Sequence, residues 1–176
     1  MTTPFKARLK AGEVLFGTLL TFGATEVADL LAGVGFDWLF VDAEHGALDP
    51  RDVLLILQTV AGRTPCLVRV PTLDEAWVKR VLDAGAQTLL IPFVQNAEEA
   101  RRAVAATRYP PEGVRGMAGM SRGSKFGTVP DYFRAANKNM GVIVQLETPE
   151  AVANLEAIAA VPGVDRVVAD RLALEV

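Results

Sequence analysis

The sequence predicts an α/β fold built on a parallel β-sheet. Six short apolar runs recur along the chain, and each is followed by a polar or glycine break. Amphipathic segments with readable helix starts fill the intervals between them. Short runs that are apolar on both faces suit parallel strands covered by helices. Strands that alternate with helices mean βα units.

The predicted strands are LFGTLLTF (15–22), DWLFVD (37–42), CLVRV (66–70), QTLLIP (87–92), GVIVQLE (141–147) and VDRVVA (164–169). Four helices between them carry start signals. Asp49-Pro50 offers an N-cap followed by proline at the first helical position, ahead of RDVLLILQTV. Thr148-Pro149 repeats the device before AVANLEAIAA. Asp74 can cap EAWVKRVLDA, with Gly85 placed to end it, and Asn96 can cap AEEARRAVAATR. One connection differs: residues 108–130, RYPPEGVRGMAGMSRGSKFGTVP, are rich in glycine and proline and show no helical period. Loops of that length inside a compact domain are usually functional.

Two architectures accept six βα units. An open doubly wound sheet suits the length, whereas a closed (β/α)₈ barrel needs eight strands and typically ~250 residues. Pattern alone leaves both open. With 176 residues and no linker or low-complexity tract, the whole chain, 1–176, reads as one domain.

Composition narrows the function classes. A net charge of −3 provides no basic footprint for nucleic acid. The single cysteine, Cys66, excludes an internal disulfide framework and fits a reducing cytoplasm, where its ordinary role is a small buried hydrophobe. The polar start, MTTPFKARLKAGEV, does not read as a signal peptide, and no apolar run approaches ~18 residues, so neither secretion nor a membrane span is expected.

Most polar residues that interrupt the apolar runs lie at or just beyond the C-terminal ends of the strands, which in parallel α/β folds share the rim where ligands bind. Asp42, Glu44 and His45, the chain's one histidine, follow the second strand in FVDAEHGALD. Arg69 lies near the end of the third, Gln95 follows the fourth, Gln145 and Glu147 end the fifth and Asp170 follows the sixth. Each has an ordinary reading beside the chemical one. His45 is either a structural hydrogen-bonder or a base, whose ring Asp42 could hold in one tautomer. Arg69 in an apolar strand needs an anionic partner, either a structural carboxylate or a substrate oxyanion. Glu147 is a helix-terminus contact or a hard oxygen ligand for Mg²⁺ or Mn²⁺. Asp83, in KRVLDAG, is ordinarily a solvated helix charge. There is no P-loop, no GxGxxG and no cysteine–histidine zinc spacing.

GFDWLFVDAEHGALD, CLVRVP, VKRVLDAGAQTLLIPFVQNAEEAR, RYPPEGVRG, IVQLETPEAV and GVD together resemble the HpcH/HpaI aldolase family of metal-dependent pyruvate aldolases. The resemblance runs in family order from about residue 5 to residue 165. It implies a (β/α)₈ TIM-type barrel, of which this chain holds about six βα units. It also implies reversible aldol cleavage of a 4-hydroxy-2-oxo acid to pyruvate and an aldehyde, assisted by Mg²⁺ or Mn²⁺, with Co²⁺ a third candidate, in a homo-oligomer. By the same resemblance His45 is the base with Asp42 as partner, and Arg69 steadies the developing enolate. Glu147 is one metal carboxylate, Gln145 lines the pocket, and Asp83 supports the site.

The family's second metal carboxylate lies in a Gly-Pro-containing segment that here reads GVDRVVADRLALEV. Aligned without gaps the position falls on Ala173; with two or three residues deleted it falls on Asp170, which the following LAL supports. Strands seven and eight have no counterpart, so the chain reads as C-terminally truncated, and exposed apolar edges would favour association. Two alternatives accompany the aldolase reading: a catalytically impaired fragment that serves as an assembly module, and a citrate-lyase-type enzyme acting on a CoA ester.

Overall fold

A computed structural model describes residues 4–169. Its elements run in the order α1 (Pro4–Lys10), β1 (Gly17–Leu20), α2 (Thr25–Val34), β2 (Trp38–Asp42), α3 (Pro50–Thr59), β3 (Cys66–Arg69), α4 (Glu75–Asp83), β4 (Thr88–Ile91), α5 (Ala97–Thr107), α6 (Tyr132–Asn139), β5 (Gly141–Leu146), α7 (Pro149–Ala153), α8 (Leu155–Ala159) and β6 (Arg166–Ala169). The strands pair in parallel and strictly in chain order, β1 to β6. That order decides between the two architectures: a doubly wound sheet reverses direction at a switch point, and this one does not. The sheet curls as a partial barrel of the (β/α)₈ type, holding six βα units.

Strand period two sorts the side chains onto two faces. On the convex face Leu39, Val41, Val68, Leu89, Ile91, Val142 and Val144 pack beneath the helices in one large core. On the concave face Leu67, Leu90 and Ile143 form a smaller cluster with Trp38, Phe40 and Phe5 of α1. Asp42, Arg69 and Gln145 share the parity of that inner face but lie farther along their strands. The inner face is therefore apolar toward the strand starts and polar toward the strand ends.

The predicted helix starts are present as hydrogen bonds. Asp49 Oδ1 accepts the N–H groups of Arg51 and Asp52 at 2.7 and 3.0 Å, and Asp52 Oδ2 accepts the Asp49 N–H at 2.9 Å, closing a reciprocal cap on α3. Asp74 caps α4 through Trp77 N–H, and Asn96 caps α5 through Glu99 N–H. Gly85 follows α4 at φ 105°, the left-handed conformation that ends a helix and favours glycine. Two details differ from expectation. AVANLEAIAA is split at Asn154, whose side-chain N–H₂ donates to Gln95 C=O at 2.9 Å while its backbone departs from helical values. The short helices α1 and α6 were not signalled by the apolar runs. The 108–131 connection contains neither helix nor strand, as its composition predicts.

Candidate active site

The polar end of the inner face is organised around one arginine. Asp42 and Arg69 are direct register partners, the last residues of β2 and β3. The Arg69 guanidinium grips the Asp42 carboxylate with two parallel bonds, Nε to Oδ1 at 2.9 Å and Nη2 to Oδ2 at 2.7 Å. This bidentate arrangement is the strong form of the pair. Nη1 donates to Gln145 Oε1 at 3.3 Å, and Nε also lies 3.1 Å from Glu44 Oε2. Below, the Phe40 ring centroid is 5.2 Å from the guanidinium carbon.

Asp42 is 1% exposed. Burial alone would push its carboxyl up. The hydrogen-bonded guanidinium and the N–H groups of Glu44 and His45, at 3.1 and 3.3 Å, outweigh that and hold it below the usual carboxylate range. Glu44 shows the opposite balance: burial lifts its carboxyl, Arg69 opposes the rise, and the nearby Glu147 charge adds to it. Arg69 itself is pulled down by burial but raised on balance by the carboxylates around it.

The two N–H bonds to Asp42 turn the chain sharply after β2 and set His45 on the rim. Gly46 is required there, because a Cβ would stand 2.1 Å from Asp42 O and 2.6 Å from Thr21 O. The expected contact between Asp42 and the His45 ring is corrected. Asp42 takes the backbone N–H of His45, and its oxygens are committed to Arg69 and the turn. The ring instead has Nε2 3.8 Å from Glu44 Oε2, on a side chain that is 73% exposed.

Glu147 lies just past β5. Helix capping, its ordinary reading, belongs to its neighbour: Thr148 Oγ1 accepts Ala151 N–H at 3.1 Å. Glu147 Oε1 accepts the N–H of Phe93 at 3.2 Å, and Val94 N–H donates to Gln145 C=O at 3.0 Å. The β4–α5 connection is thereby fastened to the end of β5. Gln95 joins the same junction, its side-chain oxygen accepting from Thr148 hydroxyl and its N–H donating to Glu99 Oε2 at 2.8 Å.

One predicted site residue is not brought to this cluster. Asp83 ends α4, which runs from the strand ends back to the strand starts, so it stands at the opposite rim. There its Oδ1 pairs with Arg115 Nη2 at 2.9 Å. The long loop packs on the same side, with Arg122 donating to Ala84 C=O at 2.8 Å and to Leu57 C=O at 3.0 Å. Asp170 lies outside the described residues. Glu44 and Phe93 are the residues that sequence reasoning left without a role. Glu44 could have been found from its place between Asp42 and His45; nothing in the sequence signals the conformation at Phe93.

Among the described residues no three acid, histidine or cysteine side chains form a ready-made metal cage. The donor set still fits a hard cation. Glu147 Oε2 makes no hydrogen bond to a described residue, and Mg²⁺ is typically held by one or two carboxylates with substrate oxygens and waters completing the shell.

Residues 20–170 match the family model described as HpcH/HpaI aldolase/citrate lyase. The chain is 46% identical over 164 residues to the hydroxypyruvate/pyruvate aldolase of Sagittula stellata, covering 93% of this chain and 65% of that protein. It is 48% identical over 169 residues to the 4-hydroxy-2-oxo-heptane-1,7-dioate aldolase of Salmonella dublin, covering 95% of this chain and 64% of that protein. The crystal structure of an HpcH/HpaI aldolase/citrate lyase family protein from Burkholderia cenocepacia superposes with a TM-score of 0.92 at 42% identity, over 96% of this chain and 68% of the other. The chain thus spans about 65% of the length of the curated relatives it matches.

Proposed function

Because the chain belongs to the HpcH/HpaI aldolase/citrate lyase family, we propose that its strand-end cluster serves reversible aldol cleavage of a 4-hydroxy-2-oxo acid to pyruvate and an aldehyde, in a homo-oligomeric enzyme assisted by Mg²⁺ or Mn²⁺. The observation that carries this reading is Arg69. Asp42 and Gln145 engage three of its five N–H donors, which leaves two for an oxyanion on a guanidinium that is itself largely buried.

In the cleavage direction His45, whose ring is free to reach solvent or substrate, takes the proton of the 4-hydroxyl, directly or through one water. The C3–C4 bond then breaks and C4 leaves as the aldehyde carbonyl. The bonding pair moves into C3–C2 as the 2-oxo oxygen becomes the enolate oxygen, where the free Arg69 donors stabilise the charge. Returning a proton to C3 completes the pyruvate methyl group. A divalent cation, when bound, supplies Lewis-acid polarisation of the 2-oxo group, so no Schiff-base lysine is needed. Glu147 would hold it, with Asp170 as the candidate second carboxylate. Glu44 stands between Arg69 and the His45 ring, where it can accept a hydrogen bond from the imidazolium that forms. Asp42 acts through Arg69 as a positioning residue. Exposed Leu19 and Val168 on the two outer strands, 51% and 41% exposed, support association of the chain with further copies. A buried free Cys66 is compatible with the cytoplasm, and no described helix is long and apolar enough to cross a membrane.

Solvent deuterium exchange into the pyruvate methyl group, followed by proton NMR, tests the half-reaction without any assumption about the aldehyde. Exchange should need the cation, stop with EDTA and fall to background in His45→Ala. A folded sample that exchanges nothing with either metal overturns the reading.

A further inference from the structure

Phe93 stands just past β4 at φ 55°, in the left-handed region that bulky residues avoid. Packing does not force it there, because the residue is 58% exposed. The gain from this conformation is visible in its hydrogen bonds. It turns two successive N–H groups toward the end of β5, Phe93 N–H onto Glu147 Oε1 at 3.2 Å and Val94 N–H onto Gln145 C=O at 3.0 Å. φ at residue 93 sets the angle between these two successive N–H groups, so with an ordinary negative value both bonds to the end of β5 cannot be made together.

We propose that Phe93 is a positioning residue, whose left-handed backbone clamps one oxygen of Glu147 and presents the other to a divalent cation. The inference rests on the reading of Glu147 as a cation ligand. The role lies in the backbone at position 93 and not in the ring. Held by one oxygen, the Glu147 carboxylate loses rotational freedom before the cation arrives, so less is lost on binding.

That distinction sets the test. Glycine and asparagine adopt the left-handed conformation readily, whereas valine resists it. Mn²⁺ binding in the presence of pyruvate, titrated by electron paramagnetic resonance, should weaken about tenfold in Phe93→Val, the cost of losing one charge-assisted bond. It should stay within about twofold of the parent in Phe93→Gly and Phe93→Asn, for the same conformational reason. Equal weakening in all three assigns the effect to the ring and overturns the proposal. A second readout needs no metal: the amide proton of residue 93, hydrogen-bonded to a carboxylate, should shift upfield in Glu147→Gln. An amide that does not respond overturns the clamp whatever the metal does. An amide that responds in a protein that binds no Mn²⁺ supports the clamp and overturns Glu147 as ligand.

Discussion

Arg69→Met is the most informative perturbation of this site, because it removes a cation that Asp42 and Glu44 share. The substitution deletes two bonds to Asp42, at 2.9 and 2.7 Å, the 3.1 Å contact to Glu44 and the 3.3 Å bond to Gln145. It leaves Asp42 buried with only two backbone N–H groups, and Glu44 facing Glu147 without the guanidinium that opposes it. Removing one partner of a buried pair costs roughly 3–5 kcal/mol, and at neutral pH we expect about 4 kcal/mol here. The cost should shrink on acidification. In the parent the guanidinium holds Asp42 low; without it, burial lifts both carboxyls, so the variant takes up protons at a pH where the parent does not. Within that window the difference between the two proteins falls by about 1.4 kcal/mol per pH unit for each such group. Urea unfolding followed by the fluorescence of Trp38 and Trp77 at pH 7 and pH 5 measures both quantities. A loss below about 1 kcal/mol at pH 7, well under the range for a broken buried pair, would refute the reasoning. So would a loss that does not change with pH.

Asp49→Ala removes both side-chain acceptors at the start of α3 and should cost about 1 kcal/mol, seen as a lower urea midpoint with unchanged slope. Gly46→Ala drives a Cβ against Asp42 O and Thr21 O; it should cost about 2 kcal/mol or more and displace the turn that carries His45, so pyruvate exchange should fall even in folded protein. Glu44→Gln mimics the protonated acid. Because the folded Glu44 carboxyl lies above its unfolded value, its stabilising contribution is complete below the unfolded value and lost as pH rises through the folded one. The variant should therefore gain on the parent at pH 8 and match it near pH 4, and a gain that grows on acidification would contradict this balance. Asp42 carries the reverse sign: its contribution is intact above the usual carboxylate range and is lost only as pH falls through its depressed value, so Asp42→Asn should be most costly at neutral pH in thermal melts.

What could be read from the sequence follows from how local each determinant is. Apolar runs report strands most directly where the strands are buried, as the four inner ones are, and Asp49, Asp74, Asn96 and Thr148 report helix starts because a cap acts within three residues. The open-sheet and barrel alternatives could not be separated, since strand order is a property of distant pairings. The same limit applies within the site. Arg69 visibly lacked a partner, but the choice of Asp42 depended on the β2–β3 register, and Asp42 could not serve both Arg69 and the His45 ring. Asp83 had a site role only through the resemblance, and within this chain the direction of α4 places it at the other rim. Phe93 gives no sequence signal, because its conformation is imposed by Glu147 and Gln145, more than fifty residues away.

The contacts described above hold the cluster from the middle of the sheet. Asp42 and Arg69 lie on β2 and β3, Gln145 on β5, and Glu147 is tied to the β4 connection through Phe93. Each of these strands has a hydrogen-bonded neighbour on both sides. The outer strands β1 and β6 contribute no hydrogen bond to the Arg69 network among the described residues. A buried ion pair keeps its geometry only while its strands keep register, and register here is secured by the four inner strands and the convex core above them. Charge placement around Arg69 is thus separable from whatever pairs with the outer strands. Loosening of β1 or β6 should first affect what depends on β6 and the segment after it, where Asp170 is the proposed second carboxylate. The two proposed cation ligands then differ in support, Glu147 being tied to the β4 connection and Asp170 following β6 in the chain: pyruvate exchange in Glu147→Gln and in Asp170→Asn need not fall together, and a larger loss in the first is what this division of the sheet requires.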